Sequence, residues 1–193
     1  VTSRQITFVE GWNLRQIRAA LAQHPDIKQT LAQTTDADLL KRIGMLGQTD
    51  SLEGLFFPDT YIFPIGTADV ELLERAARTQ QKILDRAWAN RAPNSVLKTP
   101  YDALILASII EKETGQASDR GRIAGVFSNR LRANMLLQTD PTVIYGMGEH
   151  YTGKLRKQDL LTDTPYNTYT RLGLPPSPIA SSGRAALSAA GAI

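Results

Sequence analysis

With 193 residues, 42% of them hydrophobic, the chain can bury a sizeable core and is too apolar for a disordered protein. Its 22 Lys and Arg against 19 Asp and Glu leave a net charge of +3, too small an excess to argue for nucleic acid. With no cysteine and only His24 and His150, it offers no disulfide framework, no thiolate site, no HExxH and no defensible Ser-His-Asp arrangement. No run reaches the roughly 18 apolar residues of a membrane span, and no signal peptide opens the chain. Val1 is not an initiator methionine, which fits a trimmed chain whose anchor or targeting segment lies outside it.

Taken in order, Gln5 to Val9 predicts a short strand. Asn13 follows as an N-cap, opening a helix striped by Leu14, Ile17 and Leu21 that Pro25 ends. Two short helical pieces are expected at Ile27 to Ala32 and Asp36 to Ile43. Leu55 to Pro64 (LFFPDTYIFP) is an aromatic patch whose prolines confine any strand to an edge or a short piece. Its Phe residues suit a core, whereas Asp59-Thr60-Tyr61 suits the lining of a sugar groove. Thr67 to Asn90 carries the longest helical pattern, and a further helix is expected from about Ser118 to Met135. Leu136 to Tyr151 reads as turn-rich, with Gln138, Thr139, Asp140, Thr142 and Tyr145 as hydrogen-bonding side chains and Gly146, Gly148 and Gly153 at bends. Thr162 to Pro178 reads as loop, and Ser182 as the cap of a last helix running to Ala190.

Between these lies LILASIIEKET, Leu104 to Thr114, an apolar run that ends abruptly in two acids. Its leucines and alanines favour helix, and it is too long for an average strand, so it predicts a buried helix. Residues two apart on a helix point roughly 200° away from each other, so Glu111 and Glu113 cannot share a face. Counting back three, four and seven positions gives Ile110, Ile109 and Leu106 under Glu113, but Ser108, Ala107 and Leu104 under Glu111. Glu113 therefore ends the greasier stripe, where apolar surroundings would raise its pKa as a general acid requires. Tyr166-Asn167-Thr168-Tyr169 adds two rings, an amide and a hydroxyl within a proline-framed loop, a composition suited to stacking on sugars.

The segments LASIIEKET, FSNRL, LQTDPTVIYG, TPYNTY and GLPPSPI, with VEGWNLRQI and FFPDTYIF upstream, resemble in order and spacing the MltG, or YceG-like, endolytic murein transglycosylases. The resemblance covers nearly the whole chain. It implies an α+β fold, mainly helical with a few short strands and a lysozyme-like catalytic Glu at the end of a buried helix. It divides the chain into a small strand-helix part, residues 1–55, and a catalytic core, residues 56–193. It also implies a membrane anchor and a LysM-like module before Val1, and a carboxy-terminal end beyond Ile193. The activity implied is cleavage of peptidoglycan between MurNAc and GlcNAc without water, leaving a 1,6-anhydro-MurNAc end. By motif position the catalytic glutamate falls on Glu113, and Gln138, Tyr145, Tyr166, Asn167 and Tyr169 are the candidates for holding the glycan. Glu111 is expected to be structural, paired with an arginine, and Arg130 to be either a surface residue or a partner for an anionic sugar substituent. Neither metal nor other cofactor is expected. The implied partners are glycan strands and wall-synthesis proteins, at the periplasmic face of the inner membrane. Two rivals stand beside this: a lysozyme-type hydrolase using Asp140 or Asp59 as second carboxylate, and a wall-binding module with an inert Glu113.

Overall fold

Helix formation starts where the sequence supplies a cap. In this structure, a computed structural model describing residues 3–114 and 116–193, Asn13 closes a capping box with Gln16 at the start of α1, Leu14–Gln23. The Asn13 side chain accepts from the Gln16 amide at 3.0 Å, and the Gln16 side chain accepts from the Asn13 amide at 2.9 Å. Thr35 caps α2, Asp36–Arg42, its hydroxyl accepting from the Asp38 amide at 3.0 Å, and a single 3₁₀ turn, Leu31–Gln33, stands where the first short helical piece was expected.

The sheet is a pair of short antiparallel strands, β1 (Ser3–Thr7) and β2 (Thr60–Pro64), with Ile6 opposite Tyr61. Period-two alternation sends Ile6, Tyr61 and Phe63 inward and leaves Ile62 in water. Two strands alone are marginal, so packing against the helices holds them. Asp59-Thr60-Tyr61 does not line a groove: Tyr61 is buried and donates to the Phe57 carbonyl at 2.6 Å, while Thr60 pairs with Thr7 across the strands. Hydrophobic burial took the ring that composition had assigned to sugar.

The long helix α3 spans Asp69–Ala89, and its first residue locks it to the 3₁₀ turn. Asp69 is fully buried, and its carboxylate accepts from the amides of Thr30, Leu31 and Val70 and from the Thr30 hydroxyl. Those four donors satisfy a carboxyl group that would be costly to bury without partners.

At the centre lies α4, Pro100–Glu113, opened by Thr99 as cap and Pro100 in the first turn. Eight successive residues, Ala103 to Ile110, are buried, so the helix has no solvent face over two turns. It packs against α3, α5 (Arg120–Arg132), α6 (Asp140–Met147) and α8 (Arg184–Gly191). Each fully buried Leu or Ile contributes about 1.5–3 kcal/mol, far above the few tenths that separate helix propensities, so packing fixes this helix.

The Ser108 hydroxyl within it donates to Ile105 O and accepts from the Ile179 amide at 3.0 Å, pinning the strap 178–183 along the helix. That strap also exchanges backbone hydrogen bonds with Gly11 and Trp12. It passes so close to Gly54 (φ +78) that a Cβ there would lie 2.3 Å from Pro178, which requires glycine. One hydrophobic core runs from Ile6 to Ala190, so residues 1–55 and 56–193 share a single interior.

Two elements differ from the sequence reading. Asp140 to Met147 is helical rather than turn-rich, with Pro141 in its first turn, and Gly146 sits inside it while Gly148 and Gly153 take positive φ. The last helix starts at Arg184 with Gly183 as cap residue, and Ser182 is buried instead. A short helix, α7 (Lys157–Leu161), precedes the proline-rich loop. Among the described residues no helix is long and apolar enough to cross a membrane.

Candidate active site

The last three residues of α4 diverge, as the helical spacing requires. Glu111 turns toward α8, where its carboxylate accepts from the Gly183 amide at 2.9 Å. Burial raises its pKa, the Gly183 amide opposes that, and the neighbouring Glu10 carboxylate adds to the rise; Arg120 nearby pulls it down. The exposed Glu10 side chain lies against Gly183, so a Cβ there would displace the Glu10 carboxylate. Lys112 turns to the next side of the helix, its ammonium 3.4 Å from the Gly11 carbonyl.

Glu113 turns to the third side and is exposed. Thr139, itself buried, donates from Oγ1 to Glu113 Oε1 at 2.8 Å, so one carboxylate oxygen is held and the other faces out. The expected greasy environment is thus on the other acid. Because α4 is buried all round from Ala103 to Ile110, counting apolar neighbours could not separate the two; what separates them is that Glu111 meets Gly183 at the start of α8, half-buried, and Glu113 meets Thr139 in an exposed position.

Thr139 is fixed in turn by the loop 166–169. Its amide donates to Thr168 Oγ1 at 3.0 Å, Thr168 and Thr142 share a 2.9 Å hydroxyl contact, and the Gln138 amide donates to Thr168 O. Fifty-odd residues of chain therefore close onto Glu113 through two buried threonines. Neither was singled out as a site residue; a threonine in TDPT reads equally well as a helix start, which it also is.

The candidate glycan-binding residues separate into kinds. Gln138 is exposed, with φ +52, and its side chain is directed by a strained backbone rather than by partners. Tyr169 donates to the Asp140 carboxylate, and burial followed by that hydrogen bond pushes its hydroxyl up to about 12; the Glu113 charge contributes to the same shift. Tyr166 and Tyr145 pack with ring centroids 4.9 Å apart, and the Tyr166 hydroxyl shares a 2.7 Å hydrogen bond with Ser177. Asn167 differs from expectation. It is 1% exposed, donates to the Leu160 and Thr162 carbonyls at 3.0 and 2.7 Å, and accepts from the Tyr169 amide at 2.8 Å. An amide with all these bonds inside its own loop shapes the loop; it has none to offer a ligand. Arg130 likewise holds the Leu137 carbonyl.

Glu53 escaped notice in the sequence, since a single acid ahead of an aromatic run carries no pattern. It is 4% exposed and forms the floor of a pocket of about 670 Å³ bordered by Asn13, Lys112, Pro141, Tyr145 and Tyr151. Its Oε2 accepts from the Leu14 amide, at the N-terminus of α1, at 2.8 Å. Burial raises its pKa to about 7, with hydrogen bonds from the Tyr145 hydroxyl and the Leu14 and Gly54 amides opposing the rise. Lys112 and Tyr145 tie this pocket to the Glu113 region from one side each. Among the described residues no group of three or more acids or histidines is placed to hold a metal ion.

Two measurements check this geometry. Asn167→Ala strips two donors and leaves the Tyr169 amide without its acceptor, so unfolding free energy should drop by about 1–3 kcal/mol; unchanged denaturant stability would contradict the internal role. For Glu53, a folded pKa of about 7, above the ordinary 4.5 of a glutamate, means the native state holds the proton more tightly than the unfolded chain. Its contribution therefore falls as pH rises from about 4.5 to about 7 and is level above, by up to about 3 kcal/mol. Glu53→Gln should gain on the wild type over that window in denaturation series run at each pH. A pH-independent difference would refute it.

The comparisons follow this geometry. The model of the YceG-like family matches residues 1–192. An endolytic murein transglycosylase of Bacillus subtilis is 36% identical over 96% of this chain, which covers 55% of that relative. One from Streptococcus pneumoniae is 30% identical over 91% of the chain and 36% of the relative, so the chain spans about half or less of these proteins. A crystal structure of a yceG-like protein from Listeria monocytogenes superposes with a TM-score of 0.76 at 30% identity, covering 98% of this chain and 67% of that one. Motif order, fold and the match along 192 residues agree, and the chain belongs to the YceG-like family.

Proposed function

We propose that this chain is the catalytic part of an endolytic lytic transglycosylase, which cleaves the MurNAc–GlcNAc bond of peptidoglycan glycan strands and leaves 1,6-anhydro-MurNAc ends. The observation that carries the reading is Glu113: an exposed carboxyl on the end of a fully buried helix, with one oxygen held by the Thr139 hydroxyl at 2.8 Å. A rigid helix behind it and a fixed oxygen beside it leave Oε2 as the oxygen that carries the proton. Relatives named endolytic murein transglycosylase support the same chemistry.

The reaction needs one acid. Glu113, protonated, donates to the leaving GlcNAc oxygen as the glycosidic bond breaks. Positive charge at the MurNAc anomeric carbon is met by the sugar's own acetamido oxygen. Glu113, now anionic, takes the proton from the C6 hydroxyl as that oxygen closes the anhydro ring. Attack within one sugar competes with water because the nucleophile is already held at the reacting carbon.

In this reading Tyr145, Tyr166 and Tyr169 line the glycan path, Gln138 reaches toward it, and Asn167 and Thr168 keep the path's shape. Glu111 acts from behind, tethering the end of α4 to α8. The wider setting belongs to the proposal too: wall-synthesis proteins as partners, at the periplasmic face of the inner membrane. One observation favours the hydrolase rival. The Tyr169 hydroxyl lies in the field of both Asp140 and Glu113, so a second carboxylate is near the first. Asp140, however, is engaged by that same hydroxyl and sits in the first turn of α6, where its charge is stabilised rather than poised to attack.

The test is a pair of isosteric changes assayed on purified sacculi. Glu113→Gln should lower the rate of glycan cleavage by about 10²–10⁴-fold with denaturant stability unchanged. Glu111→Gln should lower it less and lower stability more, since the Gly183 amide loses a charged acceptor. Native-rate digestion by Glu113→Gln, or the reverse order of damage, would overturn the assignment.

A further inference from the structure

Toward the other end of α4 from Glu113 lies another pocket, of about 510 Å³, that the reaction above does not use. Leu55, Leu84, Tyr101 and Leu104 wall it, with Met45 on the segment after α2. Leu104 stands nine residues before Glu113, which puts the two about 14 Å apart along the helix axis. Small-molecule sites have volumes of about 300–1,000 Å³, so this one is of ordinary size.

A single polar group distinguishes it from an apolar hollow. Gln80 on α3 lines the pocket and is only 2% exposed. Its Nε2 donates to the Gly54 carbonyl at 2.8 Å, which fixes the orientation of the amide. Oε1, on the other branch of that amide, is buried and has no hydrogen-bond partner among the described residues. A buried acceptor without a donor is costly, and nearly all such groups in folded proteins are satisfied.

We propose that this pocket is a second binding site, which takes a small neutral aromatic molecule of one or two rings carrying an N–H or O–H donor for Gln80 Oε1. The site stands independently of the glycan reading.

Each part of that class follows from the walls. The donor answers the orphaned Gln80 oxygen. Neutrality follows because an ammonium brought to that oxygen would lose its water with no counter-ion beside it. An anion fares no better, since no lysine or arginine lines the pocket and Asp85 at its rim repels negative charge. Aromaticity follows from Tyr101 and Met45, a ring and a thioether that both make favourable contacts with aromatic faces and edges. Both are held in place. The Tyr101 hydroxyl shares a 2.9 Å hydrogen bond with Thr49, and Met45 Sδ accepts from Gln81 Nε2 at 3.2 Å.

The pocket shares a wall with the one beside Glu113. Glu53 lines that pocket and Leu55 lines this one, while Gly54 between them is the residue that Gln80 holds. No lining residue is common to the two, so a ligand here leaves the glycan path open.

The test reads methionine methyl groups by NMR, on the chain labelled at its 3 methionines. Met45 lines the pocket, whereas Met135 and Met147 do not, so one methyl reports the site and the others report non-specific association. The ligands are indole and benzofuran, nearly identical in shape, of which only indole carries an N–H. Indole should move the Met45 methyl saturably, with Kd below about 1 mM, and leave the other two methyls in place. Benzofuran should bind roughly tenfold more weakly, because it leaves the Gln80 oxygen without a donor. Gln80→Met, of similar shape but lacking the acceptor, should bring the two ligands to equal affinity. Ala77→Leu fills the pocket from α3 and should abolish binding of both. That variant keeps Gln80 and its bond to Gly54, so it carries the test even where Gln80→Met fails to fold. Equal affinity of the native chain for indole and benzofuran, binding that survives Ala77→Leu, or no saturable shift at Met45 overturns the proposal.

Discussion

Everything in this structure depends on the complete burial of α4 between Ala103 and Ile110. A helix with no wet face cannot slide or rotate without opening cavities, and deleting one large aliphatic side chain from such a site costs 2–5 kcal/mol. The backbone at its C-terminus is consequently placed by the whole core. Three polar residues emerge from that end and are sent three ways by helical geometry: Glu111 to the Gly183 amide, Lys112 to the Gly11 turn, Glu113 to Thr139. Helix rigidity and hydrogen-bonded orientation thereby come together at a single carboxyl.

Around that carboxyl the protein uses hydroxyl chains rather than charge pairs. Thr168, Thr142 and Thr139 are buried and tie the loop 166–169 to the segment entering α6. The Thr139 hydroxyl at the head of this chain is the donor that holds one oxygen of Glu113. The charged partners lie one layer out, with Glu111 under Gly183 and Asp140 under Tyr169. The second acid of unusual character, Glu53, is held by the Leu14 amide, and burial raises its pKa to about 7.

Much of this was legible in the residues. The cap at Asn13 and the Thr67–Asn90 pattern placed α1 and α3 within a residue or two, and the apolar run from Leu104 located α4, which begins four residues earlier at Pro100. The abrupt end of that run pointed to Glu111 and Glu113 together, the apolar count that preferred Glu113 did not hold, and the 166–169 loop does meet the Thr139 that holds Glu113. Side-chain environment was less legible. Asn167 and Tyr61 look like ligand-facing groups in sequence, but each finds all its hydrogen bonds inside the fold. Glu53 shows the reverse: one acid in SLEGLFF carries no periodic signal, and only the approach of α1 and α6 gives it an environment. Short helices such as α6 were hidden by their glycines, because Gly146 and Gly148 look alike in sequence while only Gly148 takes positive φ.

In the proposed reaction one carboxyl both gives and recovers the proton while the sugar's own hydroxyl takes the place of water. Digestion of sacculi in water enriched in heavy oxygen, followed by mass spectrometry of the released ends, tests this most directly. The account predicts MurNAc ends one water lighter than reducing ends and free of label. One heavy oxygen incorporated at each cleaved bond would contradict it and return Asp140 to the role of second carboxylate.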